Sequence, residues 1–146
     1  MFYKYLEQST VYFEFGSGGS TYQASIRKCI QKLYSVESDK KWQQKLKKIV
    51  VHPNITYLFN EMKTPPKSWG RPGKHATEVQ KRRYSNHIQE LSKEEQNDID
   101  FVFIDGRFRV SCCLKCYDID NCLIAFDDFL DRPHYHIVLI LAHTFQ

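Results

Sequence analysis

Apolar positions along this chain fall into two alternating patterns. Continuous apolar runs at Val11 to Phe15, Leu33 to Val36, Ile55 to Phe59, Ile99 to Ile104 and Cys122 to Phe126 predict five strands. Between them the apolar residues recur at helical spacing. Tyr22, Ile26, Cys29, Ile30 and Leu33 share a face after the first run, and Trp42, Leu46, Ile49 and Val50 do so between Lys40 and Val51, where Pro53 ends the pattern. Ala76, Val79, Tyr84, Ile88 and Leu91 share a face between His75 and Leu91, as do Val110, Cys113, Leu114 and Tyr117 further on. Residues 1–10 read as a short helix or a lead-in. The segment opening at Pro133 reads as a helix, although Ile137 to Leu141 also fits a strand. Strands alternating with helices require right-handed crossovers, so the pattern predicts an α/β protein on a parallel sheet, with residues 1–146 forming one domain.

The first strand runs directly into Gly16-Ser17-Gly18-Gly19-Ser20-Thr21, and a helix follows. Such a turn brings backbone close to a ligand, and the helix start turns N–H groups toward it. A phosphate-binding P-loop would carry Lys where Ser20 stands, and a dinucleotide fingerprint would carry Gly or Ala where Thr21 stands, so both nucleoside triphosphatase and NAD-dependent readings are disfavoured. What remains, Glu14-x-Gly16-x-Gly18-Gly19, resembles the first motif of class I S-adenosylmethionine-dependent methyltransferases. The resemblance implies a three-layer, Rossmann-like, doubly wound, mostly parallel sheet. It also implies that S-adenosylmethionine lies over Gly16, Ser17, Gly18, Gly19, Ser20 and Thr21, its charged amino end met by Glu14 directly or through water. That family's sheet has seven strands, the last two forming an antiparallel pair. This chain supplies five, so the sheet is expected to lack the pair and to leave its fifth strand as an open edge, suited to a homo-oligomer.

Glu37 closes the second predicted strand about 20 residues past the glycines, where an acid accepts both hydroxyls of a bound ribose. The other reading makes Glu37 and Asp39 caps for the next helix. Asp105, Asp127 and Asp128 follow the fourth and fifth strands, where they would crowd together and repel unless a cation or proton sat between them. Oxygen ligands of that kind suit Mg²⁺, Mn²⁺ or Ca²⁺. The set is similar to the metal site of O-methyltransferases related to the catechol and caffeoyl-coenzyme A enzymes, with Asp128 in the place of their Asn. The alternative is that these acids pair with Arg107, Arg109 and Arg132 or cap helices.

Asn60 to Lys74 shifts to Pro, Gly, Lys and Ser, a connection long enough to carry function. Trp69 within it reads either as a wall for a substrate ring or as a pin holding the loop to the core, and Arg107 as a second substrate contact. The expected activity is methyl transfer to a hydroxyl of a sugar or other small polyol, a glycan included. Asp105 with Mg²⁺ or Mn²⁺ would assist loss of the proton, and His134 or His136 would receive it. A degenerate, non-catalytic binding module on the same fold is the alternative. Chain-wide properties add little: the net charge of +4 is modest, and Lys81-Arg82-Arg83 reads as a solvated face rather than a nucleic-acid surface. Cys113-x-x-Cys116 has only Cys122 after it to complete a zinc set, so the cysteines read as small buried hydrophobes. With neither a membrane span nor a signal peptide in view, a cytoplasmic location is expected.

Overall fold

The computed structural model describes residues 2–144; Met1, Phe145 and Gln146, the ends of the expected 1–146 domain, lie outside them. Five strands form one sheet: β1 (Val11–Phe15), β2 (Lys32–Glu37), β3 (Ile55–Phe59), β4 (Phe101–Ile104) and β5 (Leu123–Phe126). Their spatial order is β3-β2-β1-β4-β5, and every pair is parallel, which fits the Rossmann-like reading. The order reverses between β1 and β4, so a crevice opens there at the carboxyl ends of the strands. Among the described residues nothing pairs with the outer edge of β5.

Alternation along the strands builds two cores. Phe13, Phe15, Tyr34, Val36, Val102 and Ile104 point to one face, where they meet α4 (Glu78–Asn86), α6 (Arg109–Leu114) and α7 (Ile137–Thr144) through Tyr84, Cys112, Cys113 and Val138. Tyr12, Leu33 and Phe101 point to the other and meet α1 (Phe2–Leu6) and α2 (Gly19–Ser25) through Leu6 and Ala24. Burial on both faces is why these strands read as unbroken apolar runs. Two more short helices, α3 (Lys40–Leu46) and α5 (Lys93–Asp98), follow β2 and precede β4. The segment from Pro133 is helical, a 3₁₀ turn at Pro133–His136 leading into α7.

The helices are shorter than apolar periodicity implied. α2 stops at Ser25 and α3 at Leu46, so Ile26 and Ile49, expected inward, fall past their ends and face solvent instead, as do Tyr22 within α2 and Val79 at the start of α4. A short crossover needs few inward positions to cover its strip of sheet, and the remaining apolar residues of the repeat turn outward.

The exits of β1 and β4 touch backbone to backbone. Gly16 has φ +99°, and a Cβ there would stand 2.7 Å from Cα of Gly106; a Cβ on Gly106 would stand 2.1 Å from the hydroxyl oxygen of Tyr84. Gly16→Ala should therefore lower stability by about 2–4 kcal/mol, combining positive-φ strain with overpacking. Urea denaturation of the variant checks this, and an unchanged midpoint would show that the contact is not required.

Candidate ligand-binding cleft

The turn after β1 is organised from beneath by Glu14. This residue is 0% exposed, and its carboxylate receives four hydroxyls: Ser35 at 2.6 Å and Thr21 on Oε1, Ser20 at 2.6 Å and Tyr12 at 3.0 Å on Oε2. Thr21 in turn accepts the N–H of Gly18 at 2.7 Å. Because Ser35 gives its one hydrogen to Glu14, Ser17 donates to Ser35 at 2.6 Å, and Gly16 N donates to Val36 O at 3.0 Å. One carboxylate thus joins β1, the turn, α2 and β2. Burial pushes Glu14 up to about 7, while the hydroxyl donors pull the other way. Glu14 and Thr21, expected to meet a ligand, are both 0% exposed beneath the turn, where hydroxyls surround the acid.

Above the turn lies a cleft of about 1300 Å³. Gly18 and Gly19 form its floor, and a Cβ on either would meet nothing within 4 Å. Neither glycine is needed for packing, so the space they leave open belongs to the cleft. Ser17 and Ser20 also line it, although their hydroxyls face the Glu14 network. Glu37 lines the cleft at the exit of β2 while accepting the N–H groups of Ser38 at 2.6 Å and Asp39 at 2.7 Å. Asp39 is the cap of α3, accepting from Lys41 N at 2.9 Å and Trp42 N at 3.0 Å. Burial raises Glu37, and the two backbone donors oppose it.

Residues 60–74 form a strap across the β2 exit, tied down by Ser38 Oγ donating to Gly70 O at 3.1 Å and Thr64 Oγ1 donating to Ser38 O at 3.2 Å. Trp69 sits on it at φ +54° and is 88% exposed, so it cannot be the pin that holds the strap to the core; it lines the cleft, as does Arg107. Periodicity missed Trp42, assigning it to the core. Its indole N–H donates to Ser17 O at 2.8 Å, and its ring forms a wall beside the turn. The legible signal was its place in the first turn of the helix after β2, which faces the crevice in this topology.

Asp105, Asp127 and Asp128 do come together, but around a guanidinium. Arg109, 6% exposed, donates to Asp105 Oδ1 at 2.6 Å, to Asp127 O at 2.6 Å, and to Oδ2 of Asp127 and of Asp128 at 3.3 Å each. Arg132 holds Asp128 from outside at 2.7 Å. Among the described residues no group of three or more His, Cys, Asp or Glu could hold a metal ion. The metal set is therefore corrected to the arginine alternative: the positive charge that gathers these acids is a side chain. Asp105 is pushed up to about 6, first by desolvation and then by the neighbouring charge of Asp127, with Arg109 opposing. His134 and His136 do not line the cleft. His134, expected with His136 to receive a proton, packs tilted against Tyr135 with ring centroids 4.3 Å apart, and His136 lies 2.9 Å from Phe129 O, both on the 3₁₀ turn after β5.

A parallel sheet with its cleft at the strand-order reversal, a glycine floor and an acid closing β2 defines a Rossmann-like fold of methyltransferase type. No protein family and no curated protein matches the sequence. A solved structure does match: a methyltransferase-like protein from Silicibacter pomeroyi, at 27% sequence identity and a TM-score of 0.79, over 94% of this chain and 73% of that one. Among the described residues no helix is long and apolar enough to cross a membrane.

Two measurements test the charges. Glu14 binds its proton more tightly when folded than a free carboxyl does, so its own contribution to stability should be fully present below pH about 4.5 and be lost as pH rises through about 7, by up to about 3 kcal/mol. Chemical denaturation across that range should show the slope, and Glu14→Gln should flatten it. Arg109→Met, which leaves Asp105 and Asp127 without their cation and Asp128 with Arg132 alone, should cost about 1–3 kcal/mol at neutral pH, less at pH 5, and Mn²⁺ should leave the wild-type melting midpoint unmoved. A midpoint raised by Mn²⁺ would restore the metal reading.

Proposed function

We propose that this chain is an S-adenosylmethionine-dependent methyltransferase acting on a hydroxyl of a small acceptor. The observation that carries the reading is the open floor at Gly18 and Gly19, a cradle that a Cβ would fill and that packing does not demand. Glu37 at its side supports a ribose contact, and the likeness to the Silicibacter pomeroyi protein supports the reaction class.

Gly18, Gly19 and Glu37 are the residues that would hold the donor, with Trp42 offering an aromatic wall. When bound, S-adenosylmethionine supplies a methyl group already activated by its sulfonium. The protein's share is alignment and removal of the acceptor's proton. Asp105 lines the cleft, is half exposed, and has a proton affinity lifted toward neutrality, which makes it the base we assign. No step is assigned to Mg²⁺ or Mn²⁺, because Arg109 already occupies the centre of the acids that would hold the ion.

Isothermal titration with S-adenosylhomocysteine is the test. The wild type should bind; Gly18→Val should not, while keeping its apo melting midpoint, since the added side chain projects into open cleft. Glu37→Ala should weaken binding about tenfold or more through loss of charge-assisted hydrogen bonds. A wild type that fails to bind would remove the cofactor assignment.

A further inference from the structure

The charges lining the cleft divide unequally. Each acid is already committed: Glu37 to two backbone N–H groups, Asp39 to the start of α3, Asp105 and Asp127 to Arg109. The cations Lys41, Lys45, Lys67 and Arg107 also line the cleft, and none forms an ion pair with a described residue. Lys41 and Lys45 stand four apart on α3, hence on one helical face. Lys67 comes from the strap next to Trp69, and the strap passes close to Arg107, whose Cγ would lie 3.9 Å from a Cβ on Gly70. Three separate elements therefore turn unpaired positive charge toward one space.

We propose that the acceptor is a multiply anionic compound with a flat ring, of the chemistry of a nucleoside diphosphate. This rests on the methyltransferase reading and names its substrate class. The donor itself carries net positive charge, and the cations lining the cleft, Arg109 included, outnumber its acids, so the unpaired lysines and Arg107 favour a second ligand that brings negative charge. The cleft, at about 1300 Å³, exceeds the roughly 300–1000 Å³ usual for one small ligand and has room for two. Two indoles, Trp42 fixed to Ser17 O and Trp69 exposed on the strap, offer a face to each ring. The lysine pair and Lys67 take the phosphates, and Trp69 takes the base.

The experiment titrates uridine diphosphate, uridine and a short single-stranded oligonucleotide into the full chain, with and without S-adenosylhomocysteine, by calorimetry and tryptophan fluorescence. Uridine diphosphate should bind and quench the indole signal, weaken with added salt, and outbind uridine by about tenfold or more. Lys41→Glu with Lys45→Glu, and separately Lys67→Glu, should each weaken it about tenfold or more while leaving S-adenosylhomocysteine affinity within about twofold. Lys28→Glu, away from the cleft, should change nothing. Equal binding of uridine and uridine diphosphate, or charge reversals without effect on the diphosphate, would overturn the proposal. So would tighter binding of the oligonucleotide, which would assign the cations to a nucleic-acid strand. If S-adenosylhomocysteine fails to bind while the diphosphate binds through these lysines, the methyltransferase reading falls and the anion site stands.

Discussion

The structure depends on a carboxylate buried with no charged partner. Taking an ionised acid out of water costs several kcal/mol, and the hydroxyls of Tyr12, Ser20, Thr21 and Ser35 offset that only in part, leaving Glu14 pushed up to about 7. Those residues come from β1, α2 and β2, so the acid can be satisfied only when all three are in place. The requirement works in both directions. The turn is held in one conformation because the acid needs its hydroxyls, and Gly18 is fixed through Thr21 as a consequence. What is left facing outward is a floor with no side chains, bounded by Glu37 and Trp42.

The far side of the crevice obeys the same electrostatic rule with a different solution. Three acids converge where β4 and β5 end, and a buried guanidinium with a planar fork of donors reaches all of them, Asp105 at 2.6 Å and Asp127 and Asp128 at 3.3 Å each, together with the backbone carbonyls of Asp105, Gly106 and Asp127. Arg109 lies four residues after Asp105 on the first turn of α6, so the helix that follows β4 delivers the counter-charge for the strand exit itself. Acidic groups are thereby neutralised from within, whereas the cations on α3 and the strap are left to solvent. The crevice has a self-contained wall and a wall that is electrostatically incomplete.

The strand cores, their alternation with helices and the glycine turn were legible in the sequence, because they follow from properties of a few neighbouring residues: apolar runs that must be covered on both faces, and glycines where backbone approaches backbone. Glu37 at the β2 exit was legible for the same reason, since a strand end is a local event. Glu14 was legible as a residue of the turn, but its neighbours were not. Nothing local says that Ser35, 21 residues away, lies opposite it in register, yet that pairing ties the acid into β2 as a buried anchor of the turn. Arg109 was visible only as one of three candidate partners, and the adjacency of β4 and β5 selected it. His134 and His136 left the crevice because of the path after β5, and Trp42 entered it because α3 is too short to bury its first turn. By itself the sequence determined the elements and the glycine turn, which depend on short-range periodicity and backbone conformation. Tertiary structure alone decided which charges meet and which side chains face the cleft, because Coulomb interactions and burial act between residues that only strand order brings together.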